Sequence, residues 1–349
     1  MKNLPTPLNI SNIWSFGSIV GLSLSIQIIS GIFISMHYCN STNLAFFSTI
    51  ELSRNIKSGF FIKIIHANSA SLMFFLLYFH IYRSIYNKSA KNTFMWISGF
   101  MLVVITMATA FLGYVLPWGN ISFWAATVIT NLFTSLPYLG KIITEWIWGG
   151  FSVDNPTLNR FFSFHFLIPL IIRVVSLIHL RILHGKGSTN PTGLNSNIDK
   201  IPFYQFFSRK DLIFFFIVII VLNLLFQNPN LFIDPENFTP ANPLSTPVHI
   251  QPEWYFLFVY AILRSIPRKL GGVVALFSAL IIIILKILET KNSKFSYIKK
   301  LKCNITLVSF LTLTYLGRKR IDEPYVFLTK IIRVFYFFSF LEKIQFRKI

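Results

Sequence analysis

Charge is scarce in this sequence, and acid is scarcer still. Asp, Glu, Lys and Arg make up 13% of 349 residues, and only 12 residues are acidic. A soluble domain carries about twice that charged fraction, so a water-soluble globular fold is excluded. Cysteine is nearly absent: only Cys39 and Cys303 occur. They form neither CxxC nor CxxCH, which argues against covalent haem, an iron–sulfur cluster or a zinc site in this chain. The opening residues MKNLPTPLNI show no cleavable signal pattern and no Arg/Ser-rich transit peptide.

What is present in quantity is apolar. Hydrophobic residues reach 54% and the mean hydropathy is +0.60. Phe, Ile, Asn, Lys and Tyr are all common, a bias that fits AT-rich coding and an organelle genome. Several stretches reach the roughly 20 residues that cross a bilayer as helix. The fold expected is therefore all-α, a polytopic transmembrane helical bundle. Eight spans are expected, near 14–37, 60–86, 94–116, 158–183, 211–231, 270–289, 303–317 and 324–341. The first four would form one domain, residues 1–190, and the rest a second, residues 191–349. Two long connections stand out. The first, 117–157, mixes Trp118, Trp124, Trp146 and Trp148 with Gly and Pro, as interfacial segments do. The second, 232–269, carries Pro235, Pro240, Pro243, Pro247, Pro252 and Pro267, with Pro229 just before it. Irregular backbone at a membrane needs protein or a wet cavity around it, so both are candidate binding-site walls.

The net charge of +20 would suit nucleic acid in a soluble protein. In so apolar a chain it reads as membrane topology and contact with anionic lipid such as cardiolipin, with no nucleic-acid partner. Lysines gather in alternate connections: Lys88 and Lys91; Lys186, Lys200 and Lys210 with Arg209; then Lys291, Lys294, Lys299, Lys300 and Lys302. The opposite side holds Glu145, Asp154, Asp234, Glu236, Glu253, Asp322 and Glu323. The positive-inside rule puts the lysine-rich face inside, in matrix or cytoplasm. Arg318, Lys319 and Arg320, at the final hairpin, run against that rule.

Four histidines carry the chemistry. His66 and His80 are fourteen residues apart, and so are His165 and His179. Fourteen residues of α-helix rise about 21 Å and complete almost four turns, so both members of a pair face one side. The second and fourth spans run the same way through the membrane. His66 is thus level with His165, and His80 with His179, as two stacked bis-imidazole sites. Imidazoles within hydrocarbon are functional candidates by default. Haem iron held by two of them has no open position, which suits electron transfer. Gly17/Gly31 and Gly99/Gly113 repeat the same interval. Without side chains they would let a flat macrocycle approach the backbone, although small residues also serve plain helix packing. Lys63, Arg83 and Arg160 stand near the histidines, either to meet haem propionates or to snorkel toward headgroups. A proton transporter, or the two-haem membrane anchor of another quinone-linked dehydrogenase, would also use intramembrane histidines.

The residues resemble one family, mitochondrial cytochrome b, the haem-carrying core of the respiratory cytochrome bc complex (complex III). The similarity covers about residues 5–290. It includes His-Ala-Asn at 66–68, GYVLPWG at 113–119, SFWAATVITNL at 122–132, WIWGGFSVDNPT at 146–157, RFFSFHFLIP at 160–169, PEWYF at 252–256 and SIPRKLGG at 265–272. The chloroplast relative spaces its second histidine pair one residue wider and carries PEWY on a separate subunit, so this chain resembles the respiratory type.

The resemblance implies two haem b groups, a low-potential one on His66/His165 and a high-potential one on His80/His179. It implies ubiquinol oxidation at an outer site, ubiquinone reduction at an inner one, and electron transfer to cytochrome c coupled to proton translocation. Glu253 would accept a quinol proton, with Tyr260 and Tyr114 as pocket walls. His184 and Asp211 would bracket the inner quinone, with Ser188 on the same connection. The setting implied is the mitochondrial inner membrane. The partners implied are the Rieske iron–sulfur protein, cytochrome c1 and other complex III subunits, in a homodimeric complex.

The sequence departs from the family at several points. Lys63 stands where the family usually has Arg, a point charge in place of a forked donor, and Ser69 where it usually has Gly. The arm before the first span is short and is expected to lack the family's amphipathic helix. Beyond about 290 the match fades. Ala125 stands where most members have Gly, and its methyl group is expected to narrow the outer quinol pocket. Ala125→Gly should therefore restore binding of inhibitors that pack flat against that wall while quinol turnover is unchanged. Equal inhibitor titration curves for the two proteins would contradict this.

Overall fold

The computed structural model describes residues 3–288 and 297–340. Lys291, Lys294 and the last residue of each of the expected spans ending at 289 and 341 lie outside the described residues. The chain is a polytopic helical bundle, as the hydropathy requires. Six helices are long and apolar enough to cross a membrane: Asn12–Ser35, Gly59–Tyr86, Thr93–Val115, Asn155–Lys186, Phe203–Gln227 and Lys269–Ile287. They match the first six expected spans.

The first four crossings pack as two antiparallel pairs. Helix α1 (Phe16–Ser35) lies along α3 (Gly59–Tyr86), and α4 (Thr93–Val115) along α7 (Asn155–Lys186). Between the pairs, α1 also packs against α7. Short helices fill the turns: α2 (Ala45–Arg54), then α5 (Asn120–Asn131) and α6 (Gly140–Trp148) in the first long connection. The 32-residue α7 begins at a capping box, in which Asp154 and Thr157 satisfy each other's orphan backbone N–H. Before α1 the described backbone is not α-helical. Pro5–Pro7 (β1) pairs antiparallel with Lys200–Pro202 (β2), and a short 3-10 turn, Asn12–Ser15, leads into the first span.

Helix α8 (Phe203–Gln227) packs on α1 and α3. The proline-rich connection follows, then α9 (Leu257–Arg264), α10 (Lys269–Ile281) with its 3-10 extension, α11 (Tyr297–Arg318) and α12 (Tyr325–Phe340). The apolar part of α11 is short because Lys299, Lys300 and Lys302 occupy its first turns, and α12 has only 16 residues, about 24 Å of helix. Their contacts nevertheless carry them from face to face. Near its start α11 meets α3, where Tyr82 donates to Asn304 Oδ1 at 2.7 Å and Lys300 sits over Tyr86. At its far end Arg264 donates to the carbonyls of Leu316, Gly317 and Lys319 at 2.8–3.1 Å. Arg318–Arg320 therefore sit at the acidic face despite the positive-inside rule. Lys319 lies over the rings of Tyr315 and Tyr325, and the α11 carbonyls beside it are met by Arg264. Helix α12 returns antiparallel, with Thr306 bonded to Ser339 at 2.8 Å. The apolar core here joins Phe258, Ile262, Ala279, Leu313 and Tyr336.

One contact holds α11 to α9 at backbone distance. A Cβ on Gly317 would lie 2.3 Å from the carbonyl oxygen of Leu257, whereas one on Gly21 would meet nothing within 4 Å. Gly317→Ala should lower the unfolding midpoint in detergent, at a cost of about 1–3 kcal/mol from overpacking. Gly21→Ala should be neutral or raise the midpoint, by up to ~1 kcal/mol of helix propensity. Equal midpoints for the two variants would contradict the close packing.

Candidate functional site

The two helix pairs place each of the four histidines against one of the four glycines. A Cβ built on Gly31 would meet the His66 ring at 3.1 Å, on Gly17 the His80 ring at 3.1 Å, on Gly99 the His179 ring at 3.2 Å and on Gly113 the His165 ring at 2.4 Å. The order is crossed within each pair, because the partners run antiparallel and share the fourteen-residue interval. Any larger side chain at these positions would occupy the space beside the ring. Across the pairs, His66 and His165 lie 6.2 Å apart centre to centre, their planes at 85°. His80 and His179 are near enough to interact, with Arg83 beside both. The first-with-first, second-with-second matching expected from topology is thus the one the fold brings together.

Hydrogen bonds set the imidazole tautomers. The Ser30 hydroxyl donates to the Ile26 carbonyl at 2.6 Å, so toward His66 Nδ1, 2.9 Å away, it accepts. Ser98 does the same, donating to Met95 O at 2.9 Å and facing His179 Nδ1 at 2.8 Å. His165 Nδ1 meets the Thr109 carbonyl at 2.9 Å, which can only accept. In all three rings the proton sits on Nδ1 and Nε2 carries a bare lone pair, the arrangement metal-binding histidines adopt. His80 differs: its Nδ1 faces the Arg83 guanidinium at 3.3 Å, which can only donate. Pro169 adds a local effect, since it cannot donate to the carbonyl of His165 four residues back.

These features fit haem. Two imidazoles on opposite sides of one metal ion sit about 6 Å apart, given metal–nitrogen bonds of ~2 Å, and His66 and His165 have that spacing. Among the described residues no three His, Cys, Asp or Glu side chains come together as a metal cluster. A pair of imidazoles beside glycine-lined space is instead what a macrocycle supplying its own four nitrogens requires. The serines were missed in the sequence, although a signal existed: Ser30 and Ser98 each directly precede a glycine of the repeat.

The expected propionate partners separate. Arg83 stays at the histidines and also covers the Trp14 ring at 5.4 Å. Lys63 reaches back to the Thr49 carbonyl at 3.2 Å. Arg160 donates to the carbonyl of Trp146 and stacks on its ring, tying α7 to α6.

The PEWY segment is fastened to a second face of α3. Trp254 Nε1 donates to Ser71 Oγ at 3.2 Å, the Tyr255 ring stacks on Phe74 at 4.0 Å, and Tyr78 donates to the Tyr255 carbonyl. Ser71, Phe74 and Tyr78 lie roughly 130° around the helix from His66 and His80. One helix therefore positions both the histidines and Glu253. The Glu253 carboxyl is partly buried, and desolvation, with the charge of Asp234 added, raises its pKa to about 7. Tyr114 is near enough to Glu253 to interact with it. Tyr260 instead donates to the Ile250 carbonyl at 3.0 Å beneath the Arg264 guanidinium. The two long connections also join. Asn120 N–H donates to Thr239 O at 2.9 Å and Ala241 N–H to Trp118 O at 3.1 Å, and Gly119 leaves no room for a Cβ against Asn237. Ala125 is buried on α5.

At the lysine-rich end, Asp211 lies beside the hydroxyls of Ser15 and Ser18. His184 is in the last turn of α7, and no hydrogen bond among the described residues joins it to Asp211. Ser188 lines a separate cavity with Lys88 and Lys186. Trp14, which sequence reasoning overlooked, donates from its indole to Thr189 O at 2.9 Å and links this end to Arg83.

Comparison with known proteins bears on the family and the fold. The family described as Cytochrome b/b6/petB matches residues 1–187, and the one described as Cytochrome b(C-terminal)/b6/petD matches residues 240–337. A solved chain titled "Hyperthermophilic respiratory Complex III" superposes with a TM-score of 0.92 at 31% identity, over 97% of this chain and 91% of that one. With its histidine pairs, its PEWY segment and both halves matched, this multi-pass membrane chain belongs to the cytochrome b family of the bc complexes.

Proposed function

We propose that this chain is the cytochrome b subunit of a ubiquinol–cytochrome c reductase, oxidising quinol at the acidic face and reducing quinone at the lysine-rich face. The observation that carries the reading is the pairing of four imidazoles with four glycines, beside a carboxyl held at the same helix by PEWY. Bound between the histidine pairs, two haem b groups would supply one-electron carriers with no open coordination position.

The chain's own residues then have separable roles. His66 with His165, and His80 with His179, would hold the two groups. Ser30, Ser98 and the Thr109 carbonyl fix three imidazoles with Nε2 free. Arg83 would leave His80 for a propionate carboxylate, an exchange that also releases Nδ1 of that ring. Glu253, with a pKa of about 7, takes a quinol proton in its carboxylate form and hands it to water at the acidic face. Tyr114 stands beside it as a wall. At the other face His184 and Asp211 would deliver protons to a reduced quinone, each drawing on water at the membrane edge. The Rieske protein and cytochrome c1 would take the electron that leaves toward cytochrome c, since this chain has no cysteine set for an iron–sulfur centre or covalent haem. The mitochondrial inner membrane is the setting that the sequence bias and the resemblance favour.

The test is quinol-dependent cytochrome c reduction by the purified complex, followed against pH. A base must be ionised to accept a proton, so turnover should rise with pH through about 7. Glu253→Gln should remove that rise and lower turnover by roughly 10²–10⁴-fold, in keeping with the loss of one general base. An unchanged pH profile in Glu253→Gln would contradict the role.

A further inference from the structure

We infer that Ser98 is a positioning residue that sets the potential of the inner redox centre, acting through His179. This rests on the proposed function, in which His80 and His179 hold one haem. The two histidine pairs have unequal surroundings. In the outer pair both rings meet an acceptor at Nδ1: the Ser30 hydroxyl lies 2.9 Å from His66, and the Thr109 carbonyl 2.9 Å from His165. In the inner pair His179 Nδ1 meets Ser98 Oγ at 2.8 Å, whereas His80 Nδ1 faces the Arg83 guanidinium, a group that has no acceptor to offer. Among the described residues Ser98 is thus the one side chain that accepts at Nδ1 in the inner pair.

The hydroxyl is held to that task. Ser98 donates its own proton to the Met95 carbonyl at 2.9 Å, which leaves its oxygen to accept. The Met95 carbonyl, itself near the His179 ring, is engaged by the same bond. Ser98 directly precedes Gly99, where a Cβ would stand 3.2 Å from His179 Cε1 and 3.8 Å from Nδ1. The glycine opens the space on α4, and the serine holds the ring that fills it.

The consequence for a bound haem follows from electron donation. An imidazole whose Nδ1–H is hydrogen-bonded is the more basic ligand at Nε2. A more basic ligand favours the oxidised iron, which carries the larger positive charge, and so lowers the potential. Hydrogen bonds just outside the axial ligands are one of the protein's levers on haem. In the outer pair that lever has two parts, one of them backbone. In the inner pair it is a single hydroxyl, which a single substitution removes.

The experiment is an equilibrium redox titration of the purified complex, read at the b-type absorption bands. S98V puts a methyl group in place of the hydroxyl, and S98T keeps the hydroxyl at nearly the same bulk. In S98V the inner midpoint, identified as the one retained in His165→Ala, should rise by about a threefold shift toward the reduced form, ~30 mV at 59 mV per tenfold for one electron. S98A, which adds no bulk, should shift it in the same direction, and S98T should titrate like the parent. S30V should move only the other midpoint. Loss of haem without movement of a midpoint, an inner midpoint unchanged or lowered in both S98V and S98A, or equal shifts in S98V and S98T would overturn the inference. Two midpoints that ignore Ser98 would do so while leaving the haem assignment intact, whereas a parent without two b-type haems would overturn both.

Discussion

Each of the four paired histidines faces a position where no side chain stands, and the rest of the molecule is arranged around that constraint. Four residues without Cβ leave four rings room to lie against neighbouring backbone, and the shared interval makes the matches simultaneous. The interval works only if α1 runs antiparallel to α3 and α4 to α7. A slip of one residue in either pair would turn the glycine by about 100° away from the ring it serves. Register, direction and helix pairing therefore follow from one requirement.

Helix α3 extends that requirement to the loop. It presents His66 and His80 on one side and Ser71, Phe74 and Tyr78 on another, and the second side clamps Trp254 and Tyr255. Glu253 is thereby held at a fixed place relative to the histidines. Arg264 carries the frame further outward, since its guanidinium binds three carbonyls at the end of α11 and so anchors the final hairpin. The last two helices, the weakly apolar α11 and the short α12, owe their position to these contacts and to their packing on α9, which hydropathy cannot express.

Much of this was legible in the sequence because spacing is a local property. Fourteen-residue intervals, apolar runs and the lysine asymmetry are periodicities, and helical geometry converts them directly into faces and levels. The six strongest spans and the matching of His66 with His165 follow in that way. What depends on tertiary choice was not legible. Lys63 and Arg160 stand at the right distance from the histidines, but nearby backbone carbonyls claim them. Ser188 was expected beside a quinone and lines a lysine-rich cavity. The tautomer-setting serines escaped because a serine in a membrane helix usually bonds its own turn, and Ser30 and Ser98 do that while also facing a ring.

The histidine pairs as paired ligands are tested most directly by haem content and the reduced-minus-oxidised spectrum of the purified complex. Two b-type haems per chain with distinct potentials are expected, and selective loss of one in His165→Ala with the other retained. A chain with no b-type haem, or a His165→Ala spectrum identical to that of the parent, would contradict that pairing.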